Sequence, residues 1–141
     1  MTIKEIQEEI IDEFSMFDDW MERYEYIIEL GKSLPIIQAD KKVDENLIKG
    51  CQSKVWLFSE LENDIIKYTA DSDAILTKGI VALLLRVFSN QKPKDILSAE
   101  TSFIDEIGLK EHLSPTRANG LVSMVKQIKL YAIAQQTKLA N

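Results

Sequence analysis

Apolar positions recur at helical spacing from the first residues of the chain. Ile3, Ile6, Ile10 and Phe14 share one helix face, and Thr2 with Glu5 three residues on reads as a capping box that starts it. Asp19 with Glu22 marks a second start, and Trp20, Tyr24, Ile27 and Ile28 form the apolar face that follows. Gly31 is placed to cap that helix before Leu34-Pro35 closes the segment. The short link from Ser15 to Asp18 predicts that the two helices pair antiparallel. Residues 36–46 are polar and mixed, as in a surface connection. The pattern then changes. Leu47-Ile48-Lys49 is a weak strand candidate, Lys54 to Leu61 a stronger one rich in Val, Trp, Leu and Phe, and Ile65 to Thr69 a third. Glu62-Asn63-Asp64 reads as the hairpin turn between the last two. The spacing predicts a small antiparallel sheet of about three strands.

The remainder reads as helix. Asp71-Ser72-Asp73 offers N-caps for a helix from Ala74 to about Phe88 that is apolar nearly all round, and hence the central buried one. Pro93 starts a short helical turn, and Ser102 is placed to cap another that stops at Gly108. Ser114-Pro115 is a strong start signal, an N-cap followed by proline at the first helical position. The last helix carries Leu121, Met124, Val125, Ile128 and Ala132. No repeat, low-complexity tract or linker interrupts the chain. The expected fold is therefore α+β, with residues 1–141 as one domain.

Composition narrows the chemistry. Of the 141 residues 45% are hydrophobic, enough for a core, and the formal net charge is −6. The longest basic run is Lys41-Lys42, flanked by acidic residues, so nucleic acid is not an expected partner. The longest apolar run, Ile80 to Leu85, is far too short to span a bilayer. The N-terminus lacks the basic start and apolar stretch of a secretory signal. One cysteine forms no intramolecular disulfide, and a reducing, cytoplasmic setting is expected. Cys51 and His112 are the only residues of their kinds. They do not suffice for a structural zinc site or the thiolates of an iron–sulfur cluster. No glycine-rich phosphate loop is present, and no cofactor is expected.

Cys51 is the candidate that matters. A lone cysteine is most often a small buried hydrophobe. Gly50-Cys51-Gln52-Ser53 is instead a small, polar, glycine-led stretch just before a strand, the kind of loop on which reactive groups are mounted. His112 lies in Lys110-Glu111-His112-Leu113 ahead of a helix start, where a surface or capping role is the plain reading. Arg117 sits in the first turn of the last helix, where a cation opposes the helix dipole. It is either simply solvated or it faces something anionic. Asp71 and Asp73 read as caps, and Trp20, Tyr24 and Trp56 as core aromatics.

Gly50-Cys51-Gln52-Ser53-Lys54-Val55-Trp56 resembles the active-site segment of the SufE family, the sulfur acceptors that work with cysteine desulfurases. The likeness continues in order through Trp20, Tyr24, Tyr26 to Gly31 and Leu34-Pro35. It then runs through Asp71 to Ala74 with Lys78-Gly79, and through His112 to Arg117 with Gly120. It covers about residues 5–135 and is loose over residues 36–46 and after Ala132. The resemblance implies helices packed on a three-stranded antiparallel sheet, a fold similar to that of NifU-type iron–sulfur scaffolds. It also implies a role. Cys51 takes sulfane sulfur from a persulfide on a pyridoxal-phosphate cysteine desulfurase and passes it to an iron–sulfur assembly scaffold. The pyridoxal phosphate belongs to that partner. Gly50, Gln52, Ser53, Asp73 and Arg117 are candidates for shaping the loop or steadying the anion. A scaffold needs several cysteines, and a single thiol favours a carrier. A desulfurase activator that carries no sulfur, and a Cys–His hydrolase using Cys51 and His112, are the alternatives. A second copy of the chain remains a candidate partner.

Overall fold

The computed structural model, which describes residues 1–140, begins as its capping box predicts. Helix α1 (Ile3–Ser15) has Thr2 as N-cap, with Glu5 bonded back to the Thr2 N–H. Helix α2 (Trp20–Gly31) is capped by Asp19, whose carboxylate accepts from the Glu22 N–H at 2.9 Å. α1 and α2 meet where Phe14, Phe17 and Tyr26 cluster, but α2 packs chiefly on α3 (Ile75–Phe88). Gly31 does not cap α2; it is the helix's last residue, and Lys32 follows as C-cap in ordinary helical geometry. Its small size is used in the crossing with α3, where a methyl on Gly31 would stand 3.2 Å from the Gly79 nitrogen.

The sheet has two strands, not the three expected. Strands β1 (Val55–Glu62) and β2 (Ile65–Ser72) form an antiparallel hairpin, in register from Val55↔Ser72 to Glu62↔Ile65. Asn63 turns it with φ 61°. The segment expected as a further strand, Leu47-Ile48-Lys49, contributes one bridge from Leu47 to Trp56 and a bond from the Ile48 N–H to the Val55 carbonyl at 2.8 Å. The ladder stops there because the chain enters from a 3-10 turn at Asp44–Asn46 and turns away at Gly50, where φ is +95°. β2 outlasts its expected end at Thr69 because Val55, Trp56 and Leu57 pair with residues 70–72. Asp71 and Asp73 are consequently not caps: Ala74 is the N-cap of α3, and the side chain that bonds its N–H is Ser72, through Oγ at 3.3 Å. Asp71 pairs with Lys42 at 2.8 Å and Lys78 at 3.5 Å.

Strand alternation sorts the two faces. Val55, Leu57, Ser59, Ile66, Tyr68 and Ala70 point inward and are buried. Trp56 and Phe58 alternate with these buried positions, and Lys42 and Lys41 lie over their rings. Trp56 is thus half-buried beneath Lys42 and is not the core aromatic it was read as, while Trp20 and Tyr24 do pack against the core. The inner face meets α3, whose residues Ile80 to Leu85 are all buried, and the long α6 (Pro115–Ala140). Buried polar groups lock α6 onto the hairpin. The Tyr68 hydroxyl donates to the Ile128 carbonyl at 2.7 Å, the Tyr131 hydroxyl to the Leu57 carbonyl at 3.0 Å, and Gln135 Nε2 to Ser59 Oγ at 3.1 Å. The short helices α4 (Pro93–Ser98) and α5 (Ser102–Glu106) close the other side; Thr101, not Ser102, is the N-cap of α5. Among the described residues no helix is long and apolar enough to cross a membrane.

Candidate functional site

The loop 49–53 is defined by what holds its two ends. Before it, the Ile48 N–H is bonded to Val55. After it, Lys54 is clamped by the end of β2: its N–H donates to Asp73 Oδ1 at 3.0 Å, and its carbonyl accepts from the Ser72 hydroxyl at 2.8 Å. Asp73 is therefore a fastener of the loop's exit. Between these ends, the hydrogen bond that joins the loop to α6 is the one from the Cys51 thiol to the Gly120 carbonyl, with sulfur and oxygen 3.6 Å apart.

Gly50 lets the loop reach that seat. Its φ of +95° is rarely open to L side chains, and a methyl there would lie 2.4 Å from Ser123 Oγ on α6. We expect Gly50→Ala to cost about 1 kcal/mol or more through backbone strain and to lift the loop off α6. Alkylation of Cys51 should then be faster than in wild type at equal pH. An unchanged rate in a folded variant would show that the seat does not govern access to the thiol.

Cys51 is half-buried and unpaired, and burial pushes its thiol pKa up from the ordinary value. The neighbouring carbonyl favours the same form, since it accepts a proton from a thiol and repels a thiolate. Both effects favour the thiol over the thiolate at rest. It faces a pocket of about 180 Å³ lined by Gln52 and Ser53 from the loop, Thr77 and Ile80 from α3, and Thr116 and Arg117 from α6. Gly120 and Met124 complete the α6 wall, with Ser114 just before the helix. The first turns of α3 and α6 thus border one pocket, and the positive ends of helix dipoles favour an anion there.

The structure gathers most of the residues singled out in the sequence. Cys51, Gln52, Ser53 and Arg117 line the pocket, Gly50 shapes the loop, and Asp73 fastens it. Arg117 is exposed, and its backbone N–H is capped by Ser114 Oγ at 3.3 Å. His112 is not brought to the thiol. Its ring stacks on Trp20 with centroids 3.8 Å apart, Nδ1 meets the Gly108 carbonyl at 3.0 Å, and its own carbonyl accepts from the Tyr24 hydroxyl. The sequence reading missed Thr77. The available signal was a hydroxyl at a buried position of an otherwise apolar helix face.

Residues 8–132 match the family model described as the Fe-S metabolism associated domain, SufE. An uncharacterized SufE-like protein of Rhizobium etli is 42% identical, with 86% of this chain and 86% of that protein covered. A second, from Rhizobium meliloti, is 40% identical over 86% of this chain and 91% of its own length. The solution structure of a hypothetical protein from Thermus thermophilus superposes with a TM-score of 0.78 at 17% identity, covering 94% of this chain and 96% of that one. That last likeness is one of fold.

Proposed function

Since the chain belongs to the SufE family and so to iron–sulfur metabolism, we propose that it is a sulfur carrier that receives persulfide sulfur on Cys51. The observation that carries this reading is the seat of the chain's one thiol: half-buried, on a loop, at the mouth of a small pocket. The donor is the persulfide of a pyridoxal-phosphate cysteine desulfurase, the pyridoxal phosphate staying with that enzyme. Cys51 loses its proton and attacks the outer sulfur of the donor persulfide. A new sulfur–sulfur bond forms on Cys51, the donor's bond breaks, and the donor cysteine leaves as thiolate. No external oxidant or reductant is consumed. The loaded protein then hands the sulfur to an iron–sulfur assembly scaffold. We place these steps in the cytoplasm, where a lone reduced thiol persists.

The resting geometry suits storage better than transfer. A thiol bonded to Gly120 must leave that carbonyl before it acts as a nucleophile. The loop's slender attachment lets the desulfurase draw it out, a local opening that spares the core. Incubation with a desulfurase and cysteine, followed by intact mass and by alanine release, tests the function. A carrier gains the mass of one sulfur atom and speeds turnover. Faster turnover with no gain in mass would replace the carrier with an activator, and neither effect would reject both.

A further inference from the structure

α3 turns an almost wholly apolar face into the protein, and Thr77 interrupts it. The residue is only 5% exposed and lines the Cys51 pocket beside Ile80 and Met124. Helical threonines often bond the carbonyl one turn back, as Thr137 does with Ile133. Among the described residues no hydrogen bond joins the Thr77 hydroxyl to a partner. Yet it is not one of the sealed, unpartnered side-chain atoms, which are Arg23 Nε and Gln135 Oε1. The hydroxyl thus keeps some surface, and the cavity that Thr77 lines is the Cys51 pocket. The hydroxyl has no protein partner among the described residues and is free to bond what enters the pocket, whereas valine would fill the same space and offer no donor.

We propose that the Thr77 hydroxyl binds the sulfur that Cys51 carries, donating a hydrogen bond to the outer, ionised sulfur of the Cys51 persulfide. This rests on the carrier reading and gives the stored sulfur its place. The persulfide extends Cys51 by one atom into a pocket already open beside it. Thr77 offers a neutral donor in a lining that it shares with the buried Ile80 and Met124. Arg117 on α6 is the charged residue of the lining; α3 and the loop contribute neutral groups. Arg117 is present in every variant below, so differences among them report on Thr77.

The test uses protein loaded with inorganic polysulfide, whose chain is attacked by the Cys51 thiolate and leaves one sulfur shorter. Iodoacetamide trapping of the one-sulfur adduct, read by mass across pH, gives the ionisation midpoint of the persulfide. A hydrogen bond to a charged group is worth about a factor of ten or more, so Thr77→Val should raise the midpoint by about one pH unit. Thr77→Ser should restore it, and the unloaded thiol should titrate alike in all three proteins. Thr77→Ala carries the same expectation as Thr77→Val should valine disturb the packing. An unchanged midpoint in the variants without a hydroxyl would overturn the assignment. So would a Thr77→Ser midpoint displaced as far as that of Thr77→Val, which marks a packing effect. Loading without a desulfurase keeps the two readings apart: failure to accept sulfur from a desulfurase counts against the carrier, and the midpoints count for or against Thr77.

Discussion

Cys51→Ser is expected to take up no sulfur from a desulfurase while folding as the wild type does. The chain has no second thiol to substitute for Cys51, and a serine hydroxyl does not form a persulfide. The structural cost is small because the side chain is only half-buried and its single bond, to the Gly120 carbonyl, is a long sulfur contact of 3.6 Å whose loss costs little. The change in stability should stay within about 1 kcal/mol. Sulfane sulfur bound to the purified variant after incubation with desulfurase and cysteine is the readout. Uptake near that of wild type would remove Cys51 from the mechanism altogether.

The largest effect on stability is expected at the crossing of α2 and α3. A methyl added to Gly79 would stand 2.1 Å from the Ile27 carbonyl oxygen and 2.7 Å from its carbon. Both are backbone atoms of α2, so no rotamer change relieves the overlap; one helix must move. Overpacking of this kind costs about 3 kcal/mol, or roughly 10 °C in Tm for a chain of this size. Gly31→Ala, facing Gly79 from the other helix at 3.2 Å, needs a shift of a few tenths of an ångström and should cost less. Thermal unfolding followed by circular dichroism ranks the three proteins. Equal Tm values for Gly79→Ala and wild type would mean that the helices are not in this contact. Because α3 carries Thr77 and Ile80, Gly79→Ala should also disturb the pocket, and Cys51 should alkylate at a rate different from wild type.

The elements that were legible in the sequence are those whose signals are local. The capping box at Thr2, the cap at Asp19 and the Ser114-Pro115 start each satisfy helix-end donors within a few residues. The apolar run of α3 could belong only to a buried helix. What depended on distant partners was misread. Asp71 and Asp73 have the composition of caps, but β2 runs on to Ser72 because β1 is there to pair with it, and the two carboxylates turn to Lys42 and to the Lys54 N–H. Leu47-Ile48-Lys49 has strand composition, but a 3-10 turn before it and Gly50 after it leave room for one bridge. Trp56 looks like a core residue until the register places it on the face covered by Lys42. At the site, Cys51 and its loop stood out by themselves. Arg117 was named beside Cys51 through the family likeness and its place in the first turn of α6, and it does line the same pocket; the crossing that brings it there is held by Tyr68, Tyr131 and Gln135 far along the chain. Thr77 was missed: a lone hydroxyl on an apolar helix face was the signal, and only the pocket beside it gives that signal a meaning.

The central claim is that sulfur passes from a desulfurase to Cys51, and peptide mapping tests it most directly. Protein incubated briefly with desulfurase and cysteine is alkylated and cut with trypsin, which releases Gly50-Cys51-Gln52-Ser53-Lys54 between Lys49 and Val55. The account predicts that this peptide carries one extra sulfur between Cys51 and the alkyl group, and that the extra sulfur disappears when a reductant precedes alkylation. A peptide alkylated directly on the Cys51 thiol, under conditions where the desulfurase turns over faster because the protein is present, would contradict it.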